Sequence, residues 1–261
     1  MMHFDTLEGP RNRVHLVKAG MEGGEPLLLI HGAPGSWEDW KGLIEGPSRL
    51  ETYNIWAVDR PGFGLSEKSD FDASFESKIE DLVFVARQLA LASGGKALWI
   101  AGHSYGAALA SRVAYEVSRF ATVAGVVLVS GVLCQWSNHP RWYNLVVSDG
   151  PVSCLVSRRY VRGAREMNRV RKGLLELVPL WPDFPCPIGL VHCEDDSLVI
   201  CENSEYVSEQ ANRMVRHETW LRKVGHRVPQ KRPDVIKDVL LSMYSSRRDA
   251  VLEEEVARGL N

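Results

Sequence analysis

The chain alternates short, almost wholly apolar runs with longer stretches whose apolar residues recur every three or four positions. The short runs are rich in Val, Ile and Leu, as strands that are covered on both faces of a sheet usually are. The runs are PLLLIHG (26–32), NIWAVD (54–59), ALWIAG (97–102), VAGVVLVSG (123–131) and PIGLVHC (187–193). They predict five buried strands, and RHETWL (216–221) reads as a further one.

The longer stretches predict helices between and after these strands. FESKIEDLVFVARQLALAS (75–93) collects its apolar residues on one helical face, and GAALASRVAYEV (106–117) continues directly from the third run. PDVIKDVLLSMYSS (233–246) begins with a proline, which suits a first helical turn. Because parallel strands need crossover connections, the alternation predicts an α/β fold: a mainly parallel twisted sheet with helices on both faces.

Residues 132–185 break the alternation. They are rich in tryptophan and arginine, contain no convincing strand, and end in a cluster of prolines. A mostly helical insertion at this point predicts a lid, or cap, over the carboxyl edge of the sheet, where open α/β sheets bind ligands. A surface excursion with its own small core is the alternative. The predicted domains are therefore a core of residues 1–131 and 186–261 and a lid of residues 132–185.

Composition narrows the class of protein. The 261 residues are 45% hydrophobic and 25% charged with a net charge of -2, which fits a soluble globular chain and argues against a nucleic-acid partner. No apolar stretch reaches the roughly 18 to 20 residues that span a bilayer, and the N-terminal residues lack the apolar core of a secretory signal. We therefore expect a cytoplasmic protein. The five cysteines have no paired spacing, which indicates neither a disulfide framework nor a zinc site.

The insertion differs in charge from the rest of the chain. Between residues 141 and 173, eight basic residues stand against two acidic ones. This bias fits either steering of anionic esters or acidic surfaces, or the solvated face of a helix whose apolar side packs below. In the second interpretation the packed side consists of Val161, Ala164, Met167, Leu174 and Leu175.

A serine between glycines follows the third predicted strand and opens a helix, in the stretch Gly102-His103-Ser104-Tyr105-Gly106. A sharp strand-to-helix turn needs small residues and lifts the serine oxygen clear of both elements. The N–H groups of the first turn of the helix then point towards any negative charge that develops beside the serine oxygen. The same residues also fit an ordinary turn, so the presence of a base and an acid must decide whether Ser104 is a nucleophile.

A nucleophilic serine needs a base, and the base needs an acid that orients it. Of the eight histidines, His226 stands out because VGHRVPQKRP places it in a loop after the last predicted strand. Six of the other histidines lie near the N-terminus, beside the serine, in the insertion or within strands: His3, His15, His103, His139, His192 and His217. The pattern predicts His226 as the base.

Three carboxylates follow the strand at 187–193 directly: Glu194, Asp195 and Asp196. Sites gather at such strand ends, but three adjacent side chains cannot all face one imidazole. Two of them would be solvated or capping groups. The order serine, acid, histidine is the one expected for this kind of sheet, whichever of the three is the acid.

Two further motifs, His31-Gly32-Ala33-Pro34-Gly35 and DRPGFGLS (59–66), precede the serine motif, and Gly225-His226 follows it. Together, in this order over residues 27–233, they resemble the α/β-hydrolase fold superfamily, and within it the lid-bearing, carboxylesterase-like serine hydrolases. The resemblance implies an oxyanion hole formed by the backbone N–H groups of Ala33 and Tyr105. Taken alone, the first motif also fits a turn rich in Gly and Pro.

The resemblance also implies Asp196 as the acid of a Ser-His-Asp triad, through the strand-end pattern His-Gly-x-x-Asp. This chain departs from the pattern, because Cys193 replaces the glycine and Ser197 a frequent proline. Asp195 and Glu194 therefore stay open as alternatives. The Gly62-x-Gly64 stretch lacks the third glycine of a dinucleotide-binding loop, so no cofactor is implied, and no metal.

Within this superfamily, dehalogenases and epoxide hydrolases carry aspartate at the elbow, so Ser104 directs the expected chemistry to acyl transfer. We expect cleavage of small-molecule carboxylic esters through an acyl-enzyme. Two alternatives stay open: the same triad acting on another bond, such as a carbon–carbon bond beside a ketone or in acyl transfer, and a ligand receptor that keeps the triad but turns over poorly. Fold cannot separate them, nor does the sequence give the oligomeric state.

Overall fold

One eight-stranded sheet runs through the protein in a computed structural model, which describes residues 2–66, 71–138 and 142–257. The strands are β1 His3–Glu8, β2 Arg13–Gly20, β3 Glu25–Ile30, β4 Tyr53–Val58, β5 Leu98–His103, β6 Val123–Val129, β7 Ile188–Cys193 and β8 Val215–Leu221. Their order is β1-β2-β4-β3-β5-β6-β7-β8, with β2 antiparallel to both neighbours and every other pair parallel. The predicted fold class is confirmed.

Helices cover both faces of this sheet. They are α1 Lys41–Ile44, α2 Phe75–Ala92, α3 Tyr105–Ser118, α4 Trp142–Asp149, α5 Arg158–Leu177, α6 Glu202–Gln210, α7 Val228–Lys231 and α8 Pro233–Ala257. Short 3-10 helices lie at Trp37–Trp40, Gly64–Ser66, Pro151–Leu155 and Val178–Leu180. The apolar residues of α2, α3 and α5 form one core with one face of the sheet, and those of α1 and α8 form a second core with the other.

The predicted strands correspond to β3 through β8, and β1 and β2 extend the sheet at an edge for which the sequence analysis predicts no strands. The antiparallel β1 and β2 carry polar residues such as His15 and Lys18, so they lack the continuous apolar character of the central strands. The last helix also exceeds its prediction, because it continues beyond residue 246 to Ala257.

The segment between β6 and β7 contains α4, the turn Pro151–Leu155 and α5. One stripe of α5 is buried: Gly163, Ala164, Glu166, Val170, Gly173, Leu174 and Leu177. The expected packing of Leu175 is wrong, since its side chain is 48% exposed. It follows Leu174 by one position, and neighbouring positions on a helix point about 100° apart. His139 and Arg141 lie outside the described residues.

Most of the arginines of α5 point away from the core. The exposed basic residues of this helix are Arg158, Arg159, Arg165, Arg169, Arg171 and Lys172. Across the described ranges, none of the helices combines the length and the apolar character that crossing a bilayer requires.

Candidate active site

Ser104 lies between the end of β5 and the start of α3 in a backbone conformation that is rare for a residue with a side chain, with φ 55° and ψ -122°. Such a positive φ persists only where the surroundings impose it. The Ser104 amide donates to the carbonyl of Val129 (2.9 Å), and its own carbonyl accepts from the amides of Ala107 (3.0 Å) and Val132 (3.1 Å). Three backbone hydrogen bonds thus hold the serine in the strained position.

The two glycines of the motif make this turn possible. A Cβ atom on Gly102 would collide with the carbonyl of Gly106, and a Cβ atom on Gly106 would collide with the carbonyl of Ile30. The start of α3 therefore lies directly against the end of β5 and the loop after β3. Only glycine allows this approach, and it brings two loops and a helix N-terminus to one side chain.

His226 follows β8 in a loop and lies beside the serine. Its Nε2 atom is 3.0 Å from Ser104 Oγ, and its Nδ1 atom is 2.7 Å from Asp196 Oδ2. Because an ionised carboxylate only accepts hydrogen bonds, Nδ1 carries the proton that is donated to Asp196, and Nε2 is left to accept the hydroxyl proton of Ser104. The three side chains form one hydrogen-bonded chain that can draw a proton from the serine.

Asp196 is the carboxylate that meets His226. Its second oxygen, Oδ1, accepts from the amides of Leu198 (2.9 Å) and Val199 (3.0 Å), and its side chain is fully buried. Burial works to raise the pKa of this carboxyl, but the hydrogen bonds from His226 and the two amides outweigh it, so the pKa lies below its ordinary value. Asp196 is therefore held as the charged partner of the imidazole.

The two other candidate acids point elsewhere. Asp195 Oδ1 accepts from the Cys193 thiol (2.7 Å) and from the amide of Lys223 (2.9 Å), and Glu194 pairs with Arg222 at the surface (2.7 Å). Cys193 also accepts a hydrogen bond from the amide of Gly225 (3.2 Å). The cysteine that departs from the family pattern thus connects the acid loop to the residue before His226.

Two histidines that are not predicted as the base support this arrangement. His103 lies with its ring 4.8 Å from that of His226, and its Nε2–H donates to the His226 carbonyl (2.9 Å). His192 bonds Ser204 Oγ through Nδ1 (2.7 Å) and donates through Nε2 to the carbonyl of Val199 (2.8 Å). Burial lowers the pKa of His192, which favours its neutral form. Burial with the neighbouring His226 lowers the pKa of His103 to about 3, so the His103 ring is neutral near pH 7.

The loop after β3 lies against the other side of the serine. A Cβ atom on Gly32 would be 3.0 Å from Ser104 Cβ. Among the described residues, the backbone N–H groups of Ala33 and Tyr105 have no hydrogen-bond acceptor in the protein. Both amides are therefore available to a further acceptor. The side chain of Tyr105 points into the core, where its ring contacts Phe75 and the Arg60 guanidinium.

The insertion approaches this same loop. Gly163 of α5 faces Ala33 and Pro34 so closely that an added Cβ atom would be 3.1 Å from the nitrogen of Pro34. Glu166, one turn further along α5, pairs with Arg60, and both side chains are fully buried. No sequence signal identified this pair, because the two residues lie 106 positions apart and Glu166 stands among arginines in a stretch that reads as a solvated helix face.

No metal-binding cluster is found where the structure is described: no three His, Cys, Asp or Glu side chains there are grouped so that they could hold a metal ion.

A family model described as "Alpha/beta hydrolase family" matches residues 27–239, which is most of the chain and includes the serine, the acid and the histidine. The chain belongs to the alpha/beta hydrolase family. Membership does not by itself choose the bond that is cleaved.

The chain is also similar in sequence to curated relatives and in fold to solved structures. The soluble epoxide hydrolase of Corynebacterium sp. (strain C12) is 34% identical over 104 residues, which are 40% of this chain and 34% of that enzyme. The match thus spans only about a third of the relative's length. A haloalkane dehalogenase from Bradyrhizobium elkani has a TM-score of 0.73 at 14% identity, over 96% of this chain and 100% of that one. A lipase-esterase related protein from Clostridium acetobutylicum has a TM-score of 0.67 at 18% identity, over 88% and 99%.

Proposed function

We propose that this protein is a serine hydrolase that cleaves carboxylic esters of small molecules through an acyl-enzyme. The observation that carries the proposal is the hydrogen-bonded chain from Ser104 through His226 to Asp196, with distances of 3.0 and 2.7 Å, at a strained strand-to-helix turn. A nucleophile, a base and an orienting acid in hydrogen-bond contact are what acyl transfer by serine requires.

In the first half of the reaction, Ser104 Oγ attacks the ester carbonyl carbon while its proton passes to His226 Nε2. Asp196 stabilises the imidazolium through Nδ1–H and stays ionised throughout. The carbonyl oxygen becomes an oxyanion, which accepts hydrogen bonds from the amides of Ala33 and Tyr105. When the tetrahedral intermediate collapses, the carbon–oxygen bond to the alcohol breaks, and the leaving alcohol takes the proton from Nε2.

In the second half, water attacks the acyl-enzyme and gives its proton to His226. Collapse then breaks the bond to Ser104 Oγ, which regains its proton, and the carboxylic acid leaves. The oxyanion hole acts in both halves. Removing one such donor typically costs about 100- to 1,000-fold in rate, because the donors meet the charge that develops in the transition state.

Serine at position 104 also argues against opening of an epoxide or displacement of a halide. Attack of a serine oxygen on an alkyl carbon would form an ether, which water cannot cleave by addition to a carbonyl. An ester intermediate has that carbonyl and can be hydrolysed. We therefore favour esters, with residues 132–185 as a lid that bounds the substrate site beside the Ala33 loop.

The test is a panel of nitrophenyl esters combined with a fluorophosphonate probe that labels reactive serines. We expect turnover and covalent labelling in the wild type, and a loss of about a million-fold in kcat in Ser104→Ala with no labelling. A Ser104→Ala protein that keeps near-native esterase activity would overturn the assignment.

The same panel separates the alternatives. Cleavage of a carbon–carbon bond beside a ketone, with no turnover of esters, would move the activity to another bond while keeping the roles of the three residues. Slow, single-turnover labelling with ligand-dependent binding of a partner protein would instead favour a receptor.

A further inference from the structure

Arg60 and Glu166 form an ion pair that water does not reach. Arg60 Nη1 and Nη2 donate to the two carboxylate oxygens of Glu166 at 2.7 and 3.0 Å, and both side chains are 0% exposed. The pair joins the loop after β4 to α5 of the insertion. Such planar two-point contacts fix the position of a guanidinium more tightly than a single hydrogen bond does.

The rest of the Arg60 side chain holds the loop that precedes Ala33. Its Nε atom donates to the carbonyl of His31 (3.0 Å), and Nη2 donates to the carbonyl of Gly32 (2.7 Å). The Arg60 backbone amide donates to His31 Nε2 (2.9 Å), which leaves the proton of this ring on Nδ1, and Nδ1–H donates to the carbonyl of Gly32 (2.7 Å). The Gly32 oxygen thus accepts two hydrogen bonds.

The Gly32 carbonyl matters because it shares one peptide plane with the N–H of Ala33. A trans peptide is rigid, so fixing the direction of the oxygen fixes the opposite direction of the N–H. Hydrogen bonds to that oxygen also polarise the peptide and strengthen its N–H as a donor. The guanidinium of Arg60 and the ring of His31 together therefore set both the direction and the strength of the Ala33 amide as a donor.

Helix α5 contacts this peptide unit in two places. Glu166 holds the guanidinium, and Gly163, three positions earlier and so on the same helix face, packs against Ala33 and Pro34. The surroundings of Glu166 are otherwise cationic, since Lys78 Nζ lies 3.9 Å from the carboxylate and is itself buried. Without the carboxylate, two buried cations would face each other and Arg60 would be pushed from the loop.

We propose that Glu166 is a positioning residue for the oxyanion hole: through Arg60 it orients the peptide that presents the Ala33 N–H to the reacting carbonyl. This inference rests on the proposed ester hydrolysis and extends it. In this inference, α5 helps to position the oxyanion hole and does more than cover the substrate site.

Two variants separate positioning from stability. Glu166→Gln keeps the shape of the side chain and removes its charge. The double variant Arg60→Met with Glu166→Leu replaces the pair with apolar groups of similar size, a change that buried ion pairs often tolerate without loss of stability. Lys78 then keeps its hydrogen bond to the carbonyl of Asp72. Glu176→Gln is the matched control, because Glu176 lies on the same helix with a partly exposed side chain.

With para-nitrophenyl butyrate as substrate, we expect kcat to fall by about 100-fold in the double variant while KM changes by less than about 3-fold. A benzyl trifluoromethyl ketone adds to the serine oxygen, and its carbonyl oxygen becomes an oxyanion. The inhibition constant of this ketone should rise by the same factor by which kcat/KM falls. Glu166→Gln should show the same pattern with a smaller loss. The control should match the wild type in all three quantities.

Wild-type kcat in a double variant with an intact circular dichroism spectrum would overturn the proposal. Loss of the folded state in both variants would overturn it as well, since the pair would then stabilise the fold without a separate role in positioning. Ser104→Ala is measured beside them. If that variant stayed active, the proposed function would fail, whereas an inactive Ser104→Ala beside a fully active double variant would refute only the role of Glu166.

Discussion

The two sides of Ser104 are held in place by different means. On the acid–base side, Asp196 and His226 follow the adjacent parallel strands β7 and β8, and their supporting contacts come from backbone amides and the neutral ring of His103. On the oxyanion side, the loop after β3 is held by the charged guanidinium of Arg60, whose counterion comes from the insertion. One side takes its geometry from the sheet, and the other depends on a segment outside it.

The largest expected effect tests the acid–base side. Asp196→Asn should lower kcat by about 10,000-fold, because an amide cannot hold the imidazole in the tautomer that accepts the serine proton. The measurement is steady-state hydrolysis of a nitrophenyl ester. Asp195→Asn is the control and should stay within about 10-fold of the wild type, since this carboxylate bonds Cys193 and Lys223. Equal losses in the two variants would contradict the division of roles between the neighbouring acids.

A smaller effect is expected on the oxyanion side from Gly163→Ala. The added methyl group would lie 3.1 Å from the Pro34 nitrogen and 3.2 Å from its Cδ, so the loop must shift by a few tenths of an ångström. We expect kcat to fall by about 10-fold with KM little changed, because the displaced loop carries the Ala33 N–H that we propose as a donor to the transition state. The comparison is Leu175→Ala, at an exposed position on the same helix. An unchanged kcat in Gly163→Ala would show that the contact between α5 and Pro34 does not affect the position of the Ala33 amide.

The smallest effect concerns the pH dependence of stability. The pKa of His103 is about 3 in the folded protein against 6.5 for a free histidine, so below pH 6.5 the unfolded chain binds a proton that the folded protein does not. Stability therefore falls as pH falls from 6.5 towards 3, by at most about 1.4 kcal/mol per pH unit for this residue. His103→Gln can still donate to the His226 carbonyl but does not titrate there.

Thermal denaturation between these pH values should show a shallower loss of stability in His103→Gln than in the wild type. Asp196 acts in another window: its pKa lies below the ordinary 3.8, so its contribution is present above that pH and is lost only as pH falls through the folded value. Parallel stability curves for wild type and His103→Gln from pH 6.5 to 4 would mean that His103 is protonated in the folded protein.

The central fold was predictable because its strands are buried on both faces and therefore read as continuous apolar runs. Strand β1, at the edge of the sheet, and its neighbour β2 were not, since they carry polar residues whose partners lie on other strands. Lys18, for example, pairs with Asp5 of β1 and lies over the Trp56 ring of β4. Such partners are invisible in a local pattern, so strand propensity alone is weak evidence there.

The acid–base side was predictable for a related reason. Ser104 and Asp196 follow strands that the apolar pattern locates, His226 follows the strand predicted from RHETWL, and ends of parallel strands meet at one edge. The Arg60–Glu166 pair offers no such pattern. Burial of a charged side chain can be predicted only when its partner is recognised. Here the partner of Arg60 is Glu166, which lies in a helix where nearly every other charged residue is solvated. The identity of Asp196 within its run of three acids came from resemblance, because adjacent carboxylates look equivalent in sequence.

The double contact of α5 with the Ala33 loop limits how this protein can be re-engineered. Exchanging the insertion between homologous hydrolases is an attractive way to change substrate preference, since it leaves the nucleophile untouched. In this chain, a replacement segment without a carboxylate at 166 would leave the Arg60 charge without this counterion, and one with a larger residue at 163 would crowd Pro34. The insertion therefore cannot be exchanged as an independent unit. A replacement segment has to keep the residue types at positions 163 and 166.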